Sequence, residues 1–184
     1  MSMTRRQPLR SMTACIAATI LVTTTGCTMD NHYAPTPPTE AAKALEELKT
    51  LPSLEETKAR IQAAVDEIIA TTTQLVPSLK WQRFDDGETG NCESPYDQSE
   101  GKRVFLPKYV SEVPVPEENW NQVYEIARKT AAEIGATKSD ALQDIPGKHD
   151  FRFYNDTGTA IRIGSQKTAM VAGYTGCRLP AAKK

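Results

Sequence analysis

Two stretches of the chain carry apolar residues at helical spacing, and a later region alternates like a sheet. Between Ser53 and about Leu75, the residues Leu54, Ile61, Val65, Ile68 and Leu75 recur three, four or seven positions apart. Glu55, Lys58, Arg60, Gln62, Asp66 and Glu67 fill the positions between, so one face of the predicted helix is apolar and the other charged. Ser53-Leu54-Glu55-Glu56 has the form of a capping box, with hydroxyl and carboxylate serving the free amides of the first turn. Thr71-Thr72-Thr73 weakens the helix near its end and Pro77 stops it.

A second helix is predicted from about Glu117 to Ile134. Trp120, Val123, Tyr124, Ala127, Ala131 and Ile134 share one stripe. Pro116 stands where a missing amide is harmless, Glu117 and Glu118 suit the positive end of the helix dipole, and Gly135 suits its exit. A shorter Ala- and Glu-rich helix is expected from Thr39 to Leu48, with Thr39 as its cap and Leu45 and Leu48 on one side.

Beyond Asp140-Ala141-Leu142 the period falls to two. Phe151 and Phe153 alternate with Arg152 and Tyr154, Ile161 and Ile163 flank Arg162, and Met170, Ala172 and Tyr174 alternate with Val171 and Gly173. Turns at Asn155-Asp156-Thr157-Gly158 and Gly164-Ser165-Gln166-Lys167 join these runs into an antiparallel meander. Leu79 to Phe84 alternates well enough for a fourth strand, and Val104-Phe105-Leu106 is a short candidate. Glu88 to Lys102 is polar and is expected to be a long loop holding Cys92. The apolar stripes of the helices need a surface to bury, and one face of the sheet supplies it. The expected fold is a two-layer α+β sandwich, with an antiparallel sheet of about four strands and two long amphipathic helices on one face. Arg152 and Arg162 then fall on the solvent face.

The first residues follow a different logic. Arg5, Arg6 and Arg10 precede an apolar run from Met12 to Val22. At about 1.5 Å per residue that run crosses only half of a hydrocarbon core of about 30 Å, as a signal peptide does. Thr24-Thr25-Gly26-Cys27 ends it like a bacterial lipobox, in which small residues precede a cysteine that takes diacylglycerol on its sulfur. Residues 1–26 are thus the expected signal peptide and Cys27 the lipidated first residue. A usual lipobox has leucine where this chain has Thr24, so cleavage without lipid and retention as an uncleaved anchor are the competing readings. Residues 27–39, with Pro35, Pro37 and Pro38, read as a semi-rigid tether that also holds His32 and Tyr33. Residues 40–180 make a single domain and 181–184 a tail.

Without residues 1–26, which hold three Arg and no acid, 19 basic residues face 23 acidic ones. A mildly acidic domain does not attract nucleic acid. Export also assigns the cysteines. Cys15 leaves with the signal and Cys27 carries lipid, which leaves Cys92 and Cys177, 85 residues apart, to pair in an oxidising compartment or to remain two buried thiols.

Candidate chemistry is sparse. His149, beside Asp150, is the one histidine in the domain, and no Gly-x-Ser-x-Gly elbow accompanies it. A single histidine at a strand entrance reads as a surface residue, and no catalytic constellation, metal site or cofactor is expected. Asp85, Asp86, Glu88, Glu93 and Asp97 lack the alternating spacing of a calcium loop. Trp81, Trp120 and Tyr124 either fill the core or line a cleft for an apolar ligand between helix and sheet.

The lipobox, the tether, Trp81-Gln-Arg-Phe-Asp-Asp-Gly87, the Trp120 helix ending in Gly135-Ala136-Thr137, and Thr175-Gly176-Cys177 together resemble the LppA-like family of mycobacterial cell-envelope lipoproteins, over about residues 50 to 180. The resemblance implies an envelope-anchored α+β domain without established activity, in which Cys27 and the Cys92–Cys177 pair have counterparts. The expectation is an exported protein on the extracytoplasmic face of the cell membrane, lipid-anchored and non-enzymatic, that binds an unknown envelope protein or lipid. The alternative is a carrier of an apolar ligand held between helix and sheet.

Overall fold

The computed structural model describes residues 35–184. The expectations for the signal peptide, Cys27, His32 and Tyr33 lie outside these residues. The order of elements is α1 (Pro38–Thr50), α2 (Leu54–Leu75), β1 (Gln82–Arg83), β2 (Glu88–Asn91), β3 (Lys102–Phe105), β4 (Tyr109–Ser111), α3 (Glu117–Glu133), β5 (Lys138–Ile145), β6 (Lys148–Tyr154), β7 (Ala160–Ser165) and β8 (Ala169–Tyr174), with a short 3₁₀ turn at Ala181–Lys183.

The α+β class is as expected, but among the described residues the sheet has eight strands instead of about four, and three α-helices accompany it. All pairings are antiparallel, and the main path runs β1-β4-β8-β7-β6-β5. β3 also lies along β8, through Phe105 opposite Tyr174, and β2 pairs with β3. β3 and β4 therefore follow one edge of β8 in succession, divided at Pro107, which has no amide to give. The segment Leu79–Phe84 pairs only at Gln82 and Arg83. The expected loop Glu88–Lys102 is strand at both ends and irregular only between.

The helices form where periodicity placed them. Ser53 caps α2, its Oγ accepting from Glu56 N at 3.1 Å. The α2 stripe Ile61, Ala64, Val65 and Ile68 is buried, as are Trp120, Val123, Ala127 and Ala131 of α3. α1 begins at Pro38 and not after a Thr39 cap, because proline fits the first helical turn and its lost amide bonds nothing there. Just before it, Thr36 is 3% exposed and is no free tether. Its Oγ1 meets Ser94 Oγ at 2.9 Å and donates to Asp97, and Gln98 donates to its carbonyl.

The sheet has two unlike faces. Phe151, Phe153, Ile161, Ile163 and Val171 share one and pack under α2 and α3. Gly173 belongs to that face because α2 lies too close for a side chain: a Cβ there would stand 2.5 Å from Ile61 Cγ2. The opposite face, with Arg152, Arg162, Met170 and Tyr174, carries no helix among the described residues and is at least partly exposed at all four.

Candidate functional site

His149, the one catalytic candidate in the sequence, is a correction. It is 7% exposed and not a surface residue. Strand alternation puts it on the helix side, where its ring stacks on Trp120 with centroids 4.4 Å apart and planes 9° from parallel. Nδ1 lies 2.8 Å from Asp144 Oδ1, across the β5–β6 pair, and Nε2 lies 3.1 Å from Glu117 Oε2, at the start of α3. Glu117 also accepts from Gly147 N at 2.7 Å. The hydrogen bond with His149, foremost, and that from Gly147 hold the Glu117 carboxyl below its ordinary value. A general base needs one ring nitrogen facing the nucleophile. Here a carboxylate faces each. Ser165, opposite His149 in register, spends its hydroxyl on Val115, whose amide donates to it at 3.0 Å. The cluster ties the first turn of α3 to the β5–β6 turn.

The other candidates have structural partners too. Asp85 Oδ1 accepts from Gly87 N and Lys108 N, Asp86 pairs with Arg83, Glu93 with Arg103, and Asp97 holds Thr36. Trp120, Tyr124, Phe151 and Phe153 pack against one another between α3 and the sheet, with ring centroids 4.8 to 6.1 Å apart. Trp81 packs half-buried at the rim of the core, and its indole N–H has no partner among the described residues. Cys92 and Cys177 are joined by a disulfide, their Cα atoms 5.6 Å apart. The bridge pins the 92–101 loop to the end of β8, and that same loop grips Thr36.

A cleft of about 500 Å³ opens on the uncovered face beside this bridge. Cross-strand register builds it from two rows. Tyr154, Ala160, Tyr174 and Phe105 follow one another across β6, β7, β8 and β3, and Arg152, Arg162 and Ala172 form the next row. Ala160 leaves a hollow between larger neighbours. Phe105 and Tyr174 meet edge to face at 5.2 Å, Arg103 caps the Phe105 ring, and Arg152 caps that of Tyr154. Two arginines directly opposite each other repel. Each is neutralised by a neighbour, Arg152 by Asp140 at 2.6 Å and Arg162 by a two-point pair with Asp150. Arg152 in turn keeps the Asp140 carboxyl below its usual range. A bulge in β5 between Ala141 and Gln143 leaves Leu142 unpaired, 54% exposed, at the wall of the cleft. Phe84, 67% exposed, lies farther along the same face, with Lys108 over its ring.

Strand alternation places Arg152 and Arg162 on this face but does not by itself mark the cleft. The signal was the run Arg152, Tyr154, Arg162, Tyr174, which repeats one alternation of arginine and tyrosine on the side away from the core.

An α+β domain with two amphipathic helices on one face of an antiparallel sheet, closed by one disulfide, is the class this architecture defines. The family model LppA, described as a lipoprotein confined to pathogenic Mycobacterium, matches residues 29–181, and the chain belongs to that family. Among solved structures it is similar to the lipoprotein LppA from Mycobacterium tuberculosis. That match has a TM-score of 0.64 and 19% identity, and covers 78% of this chain and 89% of that one. A DUF4853 family protein from Actinomyces odontolyticus aligns with a TM-score of 0.49 and 14% identity, over 82% of this chain and 77% of that one. The first likeness is one of fold. No curated protein matches the sequence significantly.

Proposed function

We propose that this lipoprotein is exported, is held on the outer face of the cell membrane by diacylglycerol on Cys27, and acts there by binding a partner protein through the uncovered face of its sheet. The observation that carries this reading is the Tyr154, Ala160, Tyr174 and Phe105 row, beside paired arginines and the exposed Leu142 and Phe84. Tyrosine, phenylalanine and arginine around a hollow are the chemistry of protein-interface hot spots. Because Arg103, Arg152 and Arg162 each have a carboxylate, the face is nearly neutral, which favours an apolar and aromatic protein surface over a polyanion. Eight residues, Thr28 to Pro35, separate Cys27 from the Thr36 grip, and a chain of that length reaches at most about 28 Å. The 92–101 loop and the cleft beside it therefore work close to the membrane surface.

The test places a photo-crosslinking residue in intact cells at Leu142 or Phe84, and for comparison at Lys129 on α3. Adducts to one protein from the first two positions and none from Lys129 support the reading. Equal adducts from both faces defeat it. Cys27→Ala is expected to release the chain from the membrane fraction and to abolish fatty-acid labelling.

A further inference from the structure

We infer that a second cleft, bounded by α2, the end of α3 and the β6–β7 turn, binds a phosphate group through Arg178, Thr57 and Arg60. It measures about 400 Å³ and lies at the helix side of the molecule, sharing only Thr157 with the lining of the hollow on the uncovered face. Arg178 is 2% exposed and Thr57 6%, and both line this cleft.

Each carries a buried polar atom with no hydrogen-bond partner among the described residues, Nε of Arg178 and Oγ1 of Thr57. Buried donors are seldom left idle, and two in residues that line one cleft, within a small side-chain adjustment of it, point to something that occupies it. The charge argues in the same direction. The Arg178 guanidinium donates only to neutral oxygens: the carbonyls of Thr157 and Cys177, and the hydroxyls of Thr157 and Thr159, at 2.6 to 2.8 Å. Burial pushes its pKa below the ordinary guanidinium value, and Glu47 lies beyond ion-pair distance from it. A buried charge without a counter-ion is costly, and an arriving anion removes that cost.

Arg60 stands exposed at the mouth, with Glu133 across from it. Two guanidinium groups against one carboxylate leave the cleft with net positive charge. A guanidinium N–H, a hydroxyl and a second guanidinium approaching from α2 and from the segment after β8 suit the several oxygens of a phosphate, and the volume leaves room for the group it esterifies.

Inorganic phosphate titrated into the purified chain in neutral detergent, at constant ionic strength, tests the site. Saturable binding with a rise in melting temperature is expected, and acetate at the same concentration is expected to give less. Arg178 also holds the β6–β7 turn, so its variants risk misfolding; Thr57→Val does not, because valine keeps the shape and removes an idle hydroxyl. Thr57→Val is expected to melt at or above the wild-type temperature without phosphate, and to bind phosphate about tenfold more weakly. Arg60→Gln is expected to weaken binding several-fold and Glu133→Gln to strengthen it. Vesicles of phosphatidylglycerol in phosphatidylcholine separate two sources. Competition with inorganic phosphate assigns the group to a lipid head group, and saturable phosphate binding without competition assigns it to a soluble ester. Unchanged affinity in Thr57→Val, or no saturable response to phosphate, overturns the proposal.

Discussion

The two faces of the sheet are made by the same strands and follow opposite rules. On the helix side, Phe153 is 1% exposed and Ile161 wholly buried, and Gly173 has given up its side chain to let α2 approach. One residue along, Tyr154 and Arg152 face water and are held by carboxylates and ring contacts. The first face is shaped by what it must exclude. The second keeps large, polar and aromatic groups that the fold does not need for cohesion. Such a contrast separates residues kept for stability from residues available for binding.

The largest break in that contrast comes from adjacent positions of β6. Phe153→Ala removes a buried ring and is expected to cost about 3–5 kcal/mol in urea unfolding. Tyr154→Ala loses a 3.2 Å hydrogen bond to Asp140 and a cation–π contact, and is expected to cost about 1 kcal/mol. Comparable losses at the two positions would show that the uncovered face is itself part of the core.

The disulfide comes next. It spans 85 residues and holds both the cleft wall and the Thr36 grip. Replacing both cysteines by serine is expected to lower stability by about 2–4 kcal/mol, somewhat less than the loop-entropy value of about 4.6 kcal/mol. Thiol titration of the denatured chain without reductant checks the bridge, since Cys92 and Cys177 are expected to stay silent until reductant is added.

How much of this contrast the sequence revealed depended on period. α2 and α3 were legible because their apolar residues share a stripe, and the Phe151, Ile161 and Val171 rows because they alternate. β2, of sequence Glu-Thr-Gly-Asn, and β5 were not. Their side chains are mostly exposed, and backbone pairing leaves little mark on side-chain pattern. The Pro146-Gly147 pair, with Gly147 at φ 75°, was the available sign of a turn between β5 and β6. Without β5 there is no Asp144 opposite His149, and no reason to bury the imidazole. The outer cleft was hidden for a related reason: its hollow is made by Ala160, whose effect depends on which residues stand opposite it.

A pH series sharpens the comparison at the buried histidine. The folded-state pKa of Glu117 lies below its ordinary 4.5, chiefly through the hydrogen bond with His149. Its contribution to stability is therefore complete above the unfolded-state value and is lost as pH falls through the folded one. Glu117→Gln is expected to flatten this part of the acid limb of a melting-temperature profile, which begins near the ordinary carboxylate range and extends below it. At neutral pH the variant keeps an amide oxygen toward Gly147, so the difference between the two profiles reports the charge and not the shape. Parallel acid limbs would remove Glu117 from the account.

The smallest expected change is the one that tests the function. Arg152 and Asp140 form an ion pair with both side chains well exposed, and such pairs contribute about 0.2–1 kcal/mol. A double-mutant cycle with Arg152→Gln and Asp140→Asn is expected to return a coupling energy in that range. If stability were the reason for placing two arginines opposite each other, this is a poor arrangement, because Arg152 and Arg162 repel and each requires its own carboxylate. A binding face explains it better. Guanidinium groups held over aromatic rings, Arg152 over Tyr154 and Arg103 over Phe105, are ordered before the partner arrives, so less entropy is lost on docking. Arg152→Gln is thus expected to leave the melting temperature within about 2 °C of wild type while the Leu142 crosslink falls by half or more, an effect out of proportion to its cost in folding. A crosslink that survives both Arg152→Gln and Tyr174→Ala would show that the partner engages Leu142 from the edge of β5 and not from the open face.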